Sequence, residues 1–286
     1  MNKKDIANIA ASIRARLQNK ATEANRPFAE LLQYYGMERF LYRLSRSGYA
    51  GKFVLKGALM FTVWQVPDRR TTLDIDFLAS CGNSVSSVED IVRKVCSVTV
   101  VPDGLTFDAA SVRGQKIKED ADYEGVRVKF LGLLERARIP MQLDVAFGDA
   151  VYPGPKMIEY PAILDLPRPH LKGYPVESMI SEKFEAMITL GLLNSRMKDF
   201  YDIWLLMRTF DLSEARLAEA IRKTFIRRKT PLPAGRPLFS EEIYDESSDR
   251  QMLWNAFLNK SGIVHAPIKL SAVATEIEAL LLKAIE

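Results

Sequence analysis

Between Leu105 and Asp149 three stretches, "LTFDAASVRGQKI", "YEGVRVKFLGLLE" and "IPMQLDVAFGD", alternate apolar and polar residues and are separated by Gly- and Asp-containing breaks. A period of two sends successive side chains to opposite faces of a strand. Three such stretches in succession predict neighbouring, mostly antiparallel strands. A chain built this way needs a sheet, and the chemistry follows from what stands on it.

Two acids stand out. "RRTTLDIDFLAS", from Arg69 to Ser80, sets Asp74 and Asp76 two apart in an otherwise apolar strand. Residues i and i+2 share a face, so Leu73, Ile75 and Phe77 are expected to point the other way. Two like charges about 7 Å apart or closer on a sheet repel one another. A hard divalent cation, Mg²⁺, converts that repulsion into oxygen coordination, and it keeps open positions for water and substrate phosphate. "QLDVAF" supplies a third acid of the same style, Asp144, between Leu143 and Val145. Three converging strand acids are what two-metal nucleotidyl transfer uses. The plainer alternative is an edge strand with solvated acids; the apolar flanks and the second acid-in-strand favour the metal.

Just upstream, "LKGALMF" reads as strand, turn and apolar helix. Gly57 lets backbone approach an anion, the following helix start offers N–H groups, and Lys56 adds a point charge. A lone Lys-Gly turn is ordinary. Its position ahead of the acids gives it weight.

Elsewhere the pattern is helical. Ile6, Ile9, Ile13 and Leu17 form one stripe near the N-terminus, and "VEDIVRKVC" is a further helix candidate. In "PFAELLQYYGMERFLYRLSRSG" Arg39, Arg43 and Arg46 are expected along an exposed side. The proline-rich "VYPGPKMIEYPAILDLPRPHLKGYPVE" reads as a connector to a second lobe. Beyond it, "ESMISEKFEAMITLGLL" and "KDFYDIWLLMRTF" have helical spacing. Within them Glu182, Lys183 and Glu185 read as a solvated face over Met179, Phe184 and Met187. Ser195 reads as a cap, Lys198 and Asp202 as an i, i+4 pair, and Phe200, Tyr201 and Trp204 as core. The basic loop with Arg227, Arg228, Lys229 and Arg236 reads as solvated, with nucleic-acid contact as the alternative; His170 and His265 receive no role. The division expected is a sheet-bearing core over residues 1–170 and a mainly helical lobe over 171–286.

A net charge of +4 in 286 residues is compatible with a polyanionic partner without demanding one. Cys81 and Cys96 are the only cysteines, which argues against a disulfide framework, leaves no CxxC metal pair and suits a reducing cytoplasm. No apolar run approaches the roughly 20 residues a membrane helix needs. The expectation is a soluble, cytoplasmic protein without a membrane partner.

Taken in order, "FVLKGALMF…RRTTLDIDF", "QLDVAF", "SEKFEAM" and "SRMKDFYDIWLL" resemble the AbiEii/AbiGii-type nucleotidyltransferase toxins, whose core is polymerase-beta-like and whose relatives include the MenT toxins. The resemblance spans Phe53 to Leu206. It implies an α+β fold, with a nucleotidyltransferase-type mixed sheet flanked by helices and then a mainly helical C-terminal lobe. It also implies Mg²⁺-dependent transfer of a nucleoside monophosphate from an NTP to an RNA acceptor, the tRNA 3′ end, so that translation and growth stop. A cognate antitoxin, often a transcriptional repressor, is the implied protein partner.

Carried over by residue, the resemblance makes Asp74, Asp76 and Asp144 the metal ligands. By the resemblance Lys183 would face the triphosphate; from their own place in the chain, Lys56, Gly57, Ala58 and Arg70 would line the nucleotide, with an idle exposed loop as the alternative for Arg70. Asp199 and Asp202 match the last motif, and which of them reaches the active site stays open. Ala58 departs from the Ser or Thr of many nucleotidyltransferases, a loss of one charged hydrogen bond of roughly 1.5–3 kcal/mol. Two alternatives follow: transfer to a small-molecule or protein hydroxyl, and, favoured by Gly57-Ala58, a degenerate module that binds RNA or protein without catalysis.

Overall fold

A computed structural model describes residues 3–120, 123–191 and 195–285. The chain divides into two compact units: Met1–Gln65, Thr72–Gly148 and Lys156–Gly173 form the first, and Val66–Thr71, Asp149–Pro155 and Tyr174–Glu286 the second. No helix among the described residues is long and apolar enough to cross a membrane.

The first unit holds α1 (Lys3–Glu23), α2 (Phe28–Ser45), β1 (Phe53–Lys56), α3 (Leu59–Val63), β2 (Ile75–Ala79), α4 (Val85–Cys96), β3 (Leu105–Asp120), β4 (Tyr123–Leu134), β5 (Ala137–Phe147), β6 (Lys156–Glu159) and β7 (His170–Gly173). The strands make one sheet in the order β3-β4-β5-β2-β1-β7-β6. The three alternating stretches are β3, β4 and β5, paired antiparallel as expected. Two parallel contacts, β2 with β5 and β1 with β7, make the sheet mixed. The expected mixed sheet flanked by helices is therefore present, and it has seven strands.

Burial shows what drives it. Ile75 and Phe77 of β2, Leu143 and Val145 of β5, and Val126 and Val128 of β4 are all nearly inaccessible. Phe40 of α2 packs edge-on against Phe107 at 5.6 Å and also against Phe130 at 5.0 Å, so ring contacts help seat α2 on this sheet. Ile13 and Leu17 of the N-terminal stripe are buried as well.

Three expectations for this unit need correction. The proline-rich segment is not merely a connector, because it contributes β6 and β7, the latter pairing parallel with β1. Four-residue strands between prolines carry too little periodicity to be read. The basic stripe on α2 is not exposed: Arg39 and Arg43 are buried and only Arg46 faces solvent. Arg43 forms a two-pronged bond to Asp103 at 2.7 and 3.0 Å, and Arg39 pairs with Glu38 at 2.5 Å. A charged residue can be periodic on a helix and still point inward when a buried acid waits for it. Leu73, finally, is 68% exposed rather than packed with Ile75 and Phe77, since β2 begins only at Ile75.

The second unit is helical as expected: α5 (Val176–Leu190), α6 (Met197–Thr209), α7 (Glu214–Arg228), α8 (Glu241–Tyr244), α9 (Asp249–Ser261) and α10 (Leu270–Ile285). Ser213 and Ser248 cap α7 and α9 by accepting from Arg216 N–H and Gln251 N–H. Phe184 meets Phe225 at 5.2 Å, and Phe200 meets Phe239 at 5.2 Å. Met179, Met187, Tyr201 and Trp204 are core, as their spacing implied. The last residues of the expected α5 stretch, 192–193, lie outside the described residues. Ser195 is not the cap of α6: Arg196 holds that position without a side-chain bond.

Candidate active site

The register of the sheet sets one row of charges. Lys56 of β1 pairs with Asp76 of β2, Asp76 with Asp144 of β5, and Asp144 with Arg127 of β4. Directly opposed residues on neighbouring strands share a face. The row therefore reads Lys56, Asp76, Asp144, Arg127: two acids with a cation at each end. Asp74 joins from the approach to β2. Carboxylate oxygens of Asp74, Asp76 and Asp144 all lie within 4.8 Å of one another.

Each acid is positioned by neighbours that the local sequence does not announce. Thr72 donates its hydroxyl to Asp74 Oδ1. Thr72 N–H in turn donates to Tyr34 Oη at 3.1 Å, and Gln33 of the same helix donates to Leu73 O at 3.4 Å and Pro140 O at 2.9 Å. Helix α2 thus holds the backbone that carries Asp74. Asp76 is seated over Gly57, which has φ +67° at the end of β1. Asp144 is buried, and Arg127 grips it with Nε on Oδ1 at 2.7 Å and Nη2 on Oδ2 at 2.6 Å. That hydrogen bond, together with the nearby charges of Asp74 and Asp76, raises the pKa of Arg127 and keeps it cationic. Sequence reasoning missed Arg127. Its one signal was a lone cation between Val126 and Val128, whose partner only the strand register discloses.

Three carboxylates converging with oxygen donors alone suit a hard divalent cation, and no softer ligand stands among them. The phosphate turn is plainer than expected. Helix α3 has five residues, too short for a sustained dipole, and Ala58 at its start contributes no side-chain bond. Any anion binding there falls to backbone at Gly57 and to Lys56.

The helical unit gathers the other expected residues into a network of their own. Lys183 Nζ lies 2.7 Å from Asp199 Oδ1 and 2.8 Å from Asp202 Oδ2. Arg196 Nε is 2.7 Å from the second oxygen of Asp199, and Arg70 forks onto Asp202 with two 3.0 Å bonds. Asp199 and Asp202 are essentially inaccessible. Burial pulls the Lys183 ammonium down, but the two carboxylates outweigh it and its pKa is raised. Burial alone would raise Asp202; Arg70 and Lys183 reverse the sign and hold it at about 2. Lys183 is thus no solvated helix face, and Asp202 takes Arg70 and Lys183 as partners.

Arg228, expected on a solvated loop, ends α7 with its side chain 8% exposed, between Asp149 at 3.1 Å and Glu185 at 2.7 Å. His265, given no role from sequence, has Nε2 at 3.0 Å from the Tyr201 hydroxyl, whose single proton is donated to Asp68 O. Both are parts of the unit's framework.

Residues 39–275 match the family described as "Nucleotidyl transferase AbiEii toxin, Type IV TA system". The chain belongs to the AbiEii nucleotidyltransferase toxin family. Membership makes it a nucleotidyltransferase of a toxin–antitoxin system, and implies an NTP substrate and an antitoxin partner. Two solved structures from Helicobacter pylori are similar in fold. One, a candidate nucleotidyltransferase, is 16% identical with a TM-score of 0.49, covering 89% of this chain and 94% of its own. The other, JHP933, is 15% identical with a TM-score of 0.43, covering 86% and 90%. No curated protein sequence matches this AbiEii-family chain.

Proposed function

We propose that this AbiEii-family enzyme transfers a nucleoside monophosphate from an NTP to an RNA acceptor, the 3′ end of tRNA, and so blocks translation and growth until its antitoxin intervenes. The observation that carries the proposal is the meeting of Asp74, Asp76 and Asp144 within 4.8 Å. Mutual repulsion at that spacing is costly without a cation, and Mg²⁺ is the one we assign.

Asp74, Asp76 and Asp144 would hold magnesium, which when bound supplies positive charge against the triphosphate. Lys56 and the Gly57–Ala58 backbone orient the nucleotide. Lys183, supported by Asp199 and Asp202, is the cation we assign to the triphosphate, and Arg70 fixes Asp202 for that task. In the reaction an acceptor oxygen forms a bond to the α-phosphorus, the α–β bridging P–O bond breaks, and pyrophosphate leaves with the charge. Asp144 takes the acceptor hydroxyl's proton. Ala58 lacks the hydroxyl of many relatives, yet the acid trio that chemistry depends on is complete.

Incubation with each labelled NTP and total RNA tests this reading. Label should appear on RNA, disappear with RNase, and be absent for Asp76→Ala, which should also lose toxicity in cells. RNase-resistant label would move the acceptor to a small-molecule or protein hydroxyl. Toxicity surviving Asp76→Ala would replace catalysis with a binding mechanism.

A further inference from the structure

Asp144 is assigned to a metal, yet both of its oxygens are already bonded. Arg127 occupies them at 2.7 and 2.6 Å. We propose that Arg127 is an exchangeable counter-ion: it neutralises Asp144 in the metal-free protein, gives up that carboxylate when a divalent cation binds, and then offers its guanidinium to the nucleotide phosphates. The inference rests on the acid trio being the metal site, and adds to that reading what the fourth strand contributes.

Comparison with a fixed pair in the same unit distinguishes the two kinds of ion pair. Arg43 and Asp103 are both nearly inaccessible, with side chains 6% and 3% exposed. Arg43 also donates to the carbonyls of Arg39 and Leu105, so it is bolted in place on four bonds. Arg127 is different. Its side chain is 32% exposed while Asp144 is 8% exposed, and the two bonds described for its guanidinium both run to Asp144. Both stand on the sheet, directly opposed on β4 and β5, but Asp144 is closed off from solvent and Arg127 is open to it.

Charge arithmetic explains why the arrangement exchanges. The row on this face has two acids between Lys56 and Arg127, with Asp74 adding a third. Without a metal ion the two basic residues bring that group only to a net charge of about −1, which lessens the repulsion among the three carboxylates without removing it. A divalent ion attracts Asp144 twice as strongly as a guanidinium at equal distance. Arg127 then becomes surplus positive charge beside the acids. A guanidinium fork matches phosphate oxygens as well as it matches a carboxylate, so the triphosphate is its natural next partner.

Calorimetric titration of Mn²⁺ without nucleotide tests the exchange in the full-length protein. Removing the competing cation in Arg127→Met should tighten Mn²⁺ binding by about tenfold, with Arg127→Lys in between. Once Mn²⁺ is saturating, the same Arg127→Met protein should bind a non-hydrolysable NTP more weakly than wild type. Unchanged or weaker Mn²⁺ affinity in Arg127→Met, with Asp76→Asn losing Mn²⁺, overturns the counter-ion role and leaves the metal site standing. Wild type failing to bind Mn²⁺, or Asp76→Asn binding it as well as wild type, removes both. The wild-type protein gives a readout independent of variant folding. The Arg127 Nε–H NMR signal should move on Mg²⁺ addition, and a signal that stays in place through saturation refutes the exchange.

Discussion

Gly57 and Asp76 fit against each other so closely that a Cβ on Gly57 would stand 1.9 Å from Asp76 Oδ2 and 2.8 Å from Asp76 Cβ. The glycine is required twice over, because its φ of +67° is also the left-handed conformation that side chains resist. The turn that follows β1 thus has the shape it has because the carboxylate occupies the space above it.

Gly57→Ala should accordingly injure the site more than the fold. Left-handed backbone costs an alanine roughly 1–2 kcal/mol, which a sheet of this size tolerates. Displacement of the Asp76 carboxylate is the larger consequence. Mn²⁺ affinity should fall by at least about tenfold and nucleotide transfer should be lost, while the circular dichroism spectrum stays that of wild type. Calorimetry beside label transfer checks both; transfer at the wild-type rate would mean that Asp76 need not sit where it does.

Lys183 faces a different balance. It stands between Asp199 and Asp202, which are 0% and 1% exposed, with Arg196 and Arg70 on their far sides. Removing one partner of a buried ion network leaves uncompensated charge, at a cost of about 3 kcal/mol. Lys183→Met should lower unfolding stability by that order, read through fluorescence of Trp204 and Trp254 in the helical unit. Adding Asp199→Asn should recover part of the loss, as expected for coupled neighbours. If Lys183 also contacts the triphosphate, NTP affinity falls in Lys183→Met and stays low in the double variant.

Asp202 predicts an acid limit. Its pKa lies at about 2 in the folded chain against an ordinary 3.8, held down by Arg70 and Lys183 against the upward pull of burial. A depressed carboxylate contributes stability that is fully present above pH 3.8 and lost as pH falls through about 2. The contribution is roughly 2 kcal/mol from the size of the displacement. Denaturant midpoints of the helical unit measured from pH 4.5 down to pH 2 should decline, and Asp202→Asn should flatten that decline. A profile of equal steepness in the variant would assign the acid sensitivity elsewhere.

What could be read in the chain and what could not divide along a physical line. Acids in apolar strands announced themselves, because desolvated charge next to Leu143, Val145 or Ile75 is anomalous within five residues of sequence. β3, β4 and β5 were equally legible from their period of two. Arg127, Tyr34 and Gln33 were silent, since each matters through a partner far along the chain that only register or packing supplies. The same locality misled on Arg39, Arg43, Lys183 and Arg228. Each sits at a position where a solvated face was the natural expectation, and each instead turns its side chain away from solvent onto an acid, Glu38 beside Arg39 on the same helix and more distant acids for the other three.

Arg43 and Arg46 turn that error into a test, because the same helix carries both, three residues apart, with opposite fates. Arg43 is 6% exposed and holds Asp103, itself 3% exposed, through both carboxylate oxygens, besides the carbonyls of Arg39 and Leu105. Asp103 also accepts from Leu105 N–H, so it organises the start of β3. Arg43→Met would leave a buried carboxylate without its cation and should cost about 3–5 kcal/mol. Arg46→Ala, on an exposed position, should change stability by less than about 0.5 kcal/mol. Chemical denaturation followed by far-ultraviolet circular dichroism separates the two. Asp103→Asn combined with Arg43→Met should restore part of the loss, since an amide is far less costly than a charge to leave in that place. Equal effects from Arg43 and Arg46 would mean that both lie in solvent, and the packing of α2 against this sheet would have to be redrawn.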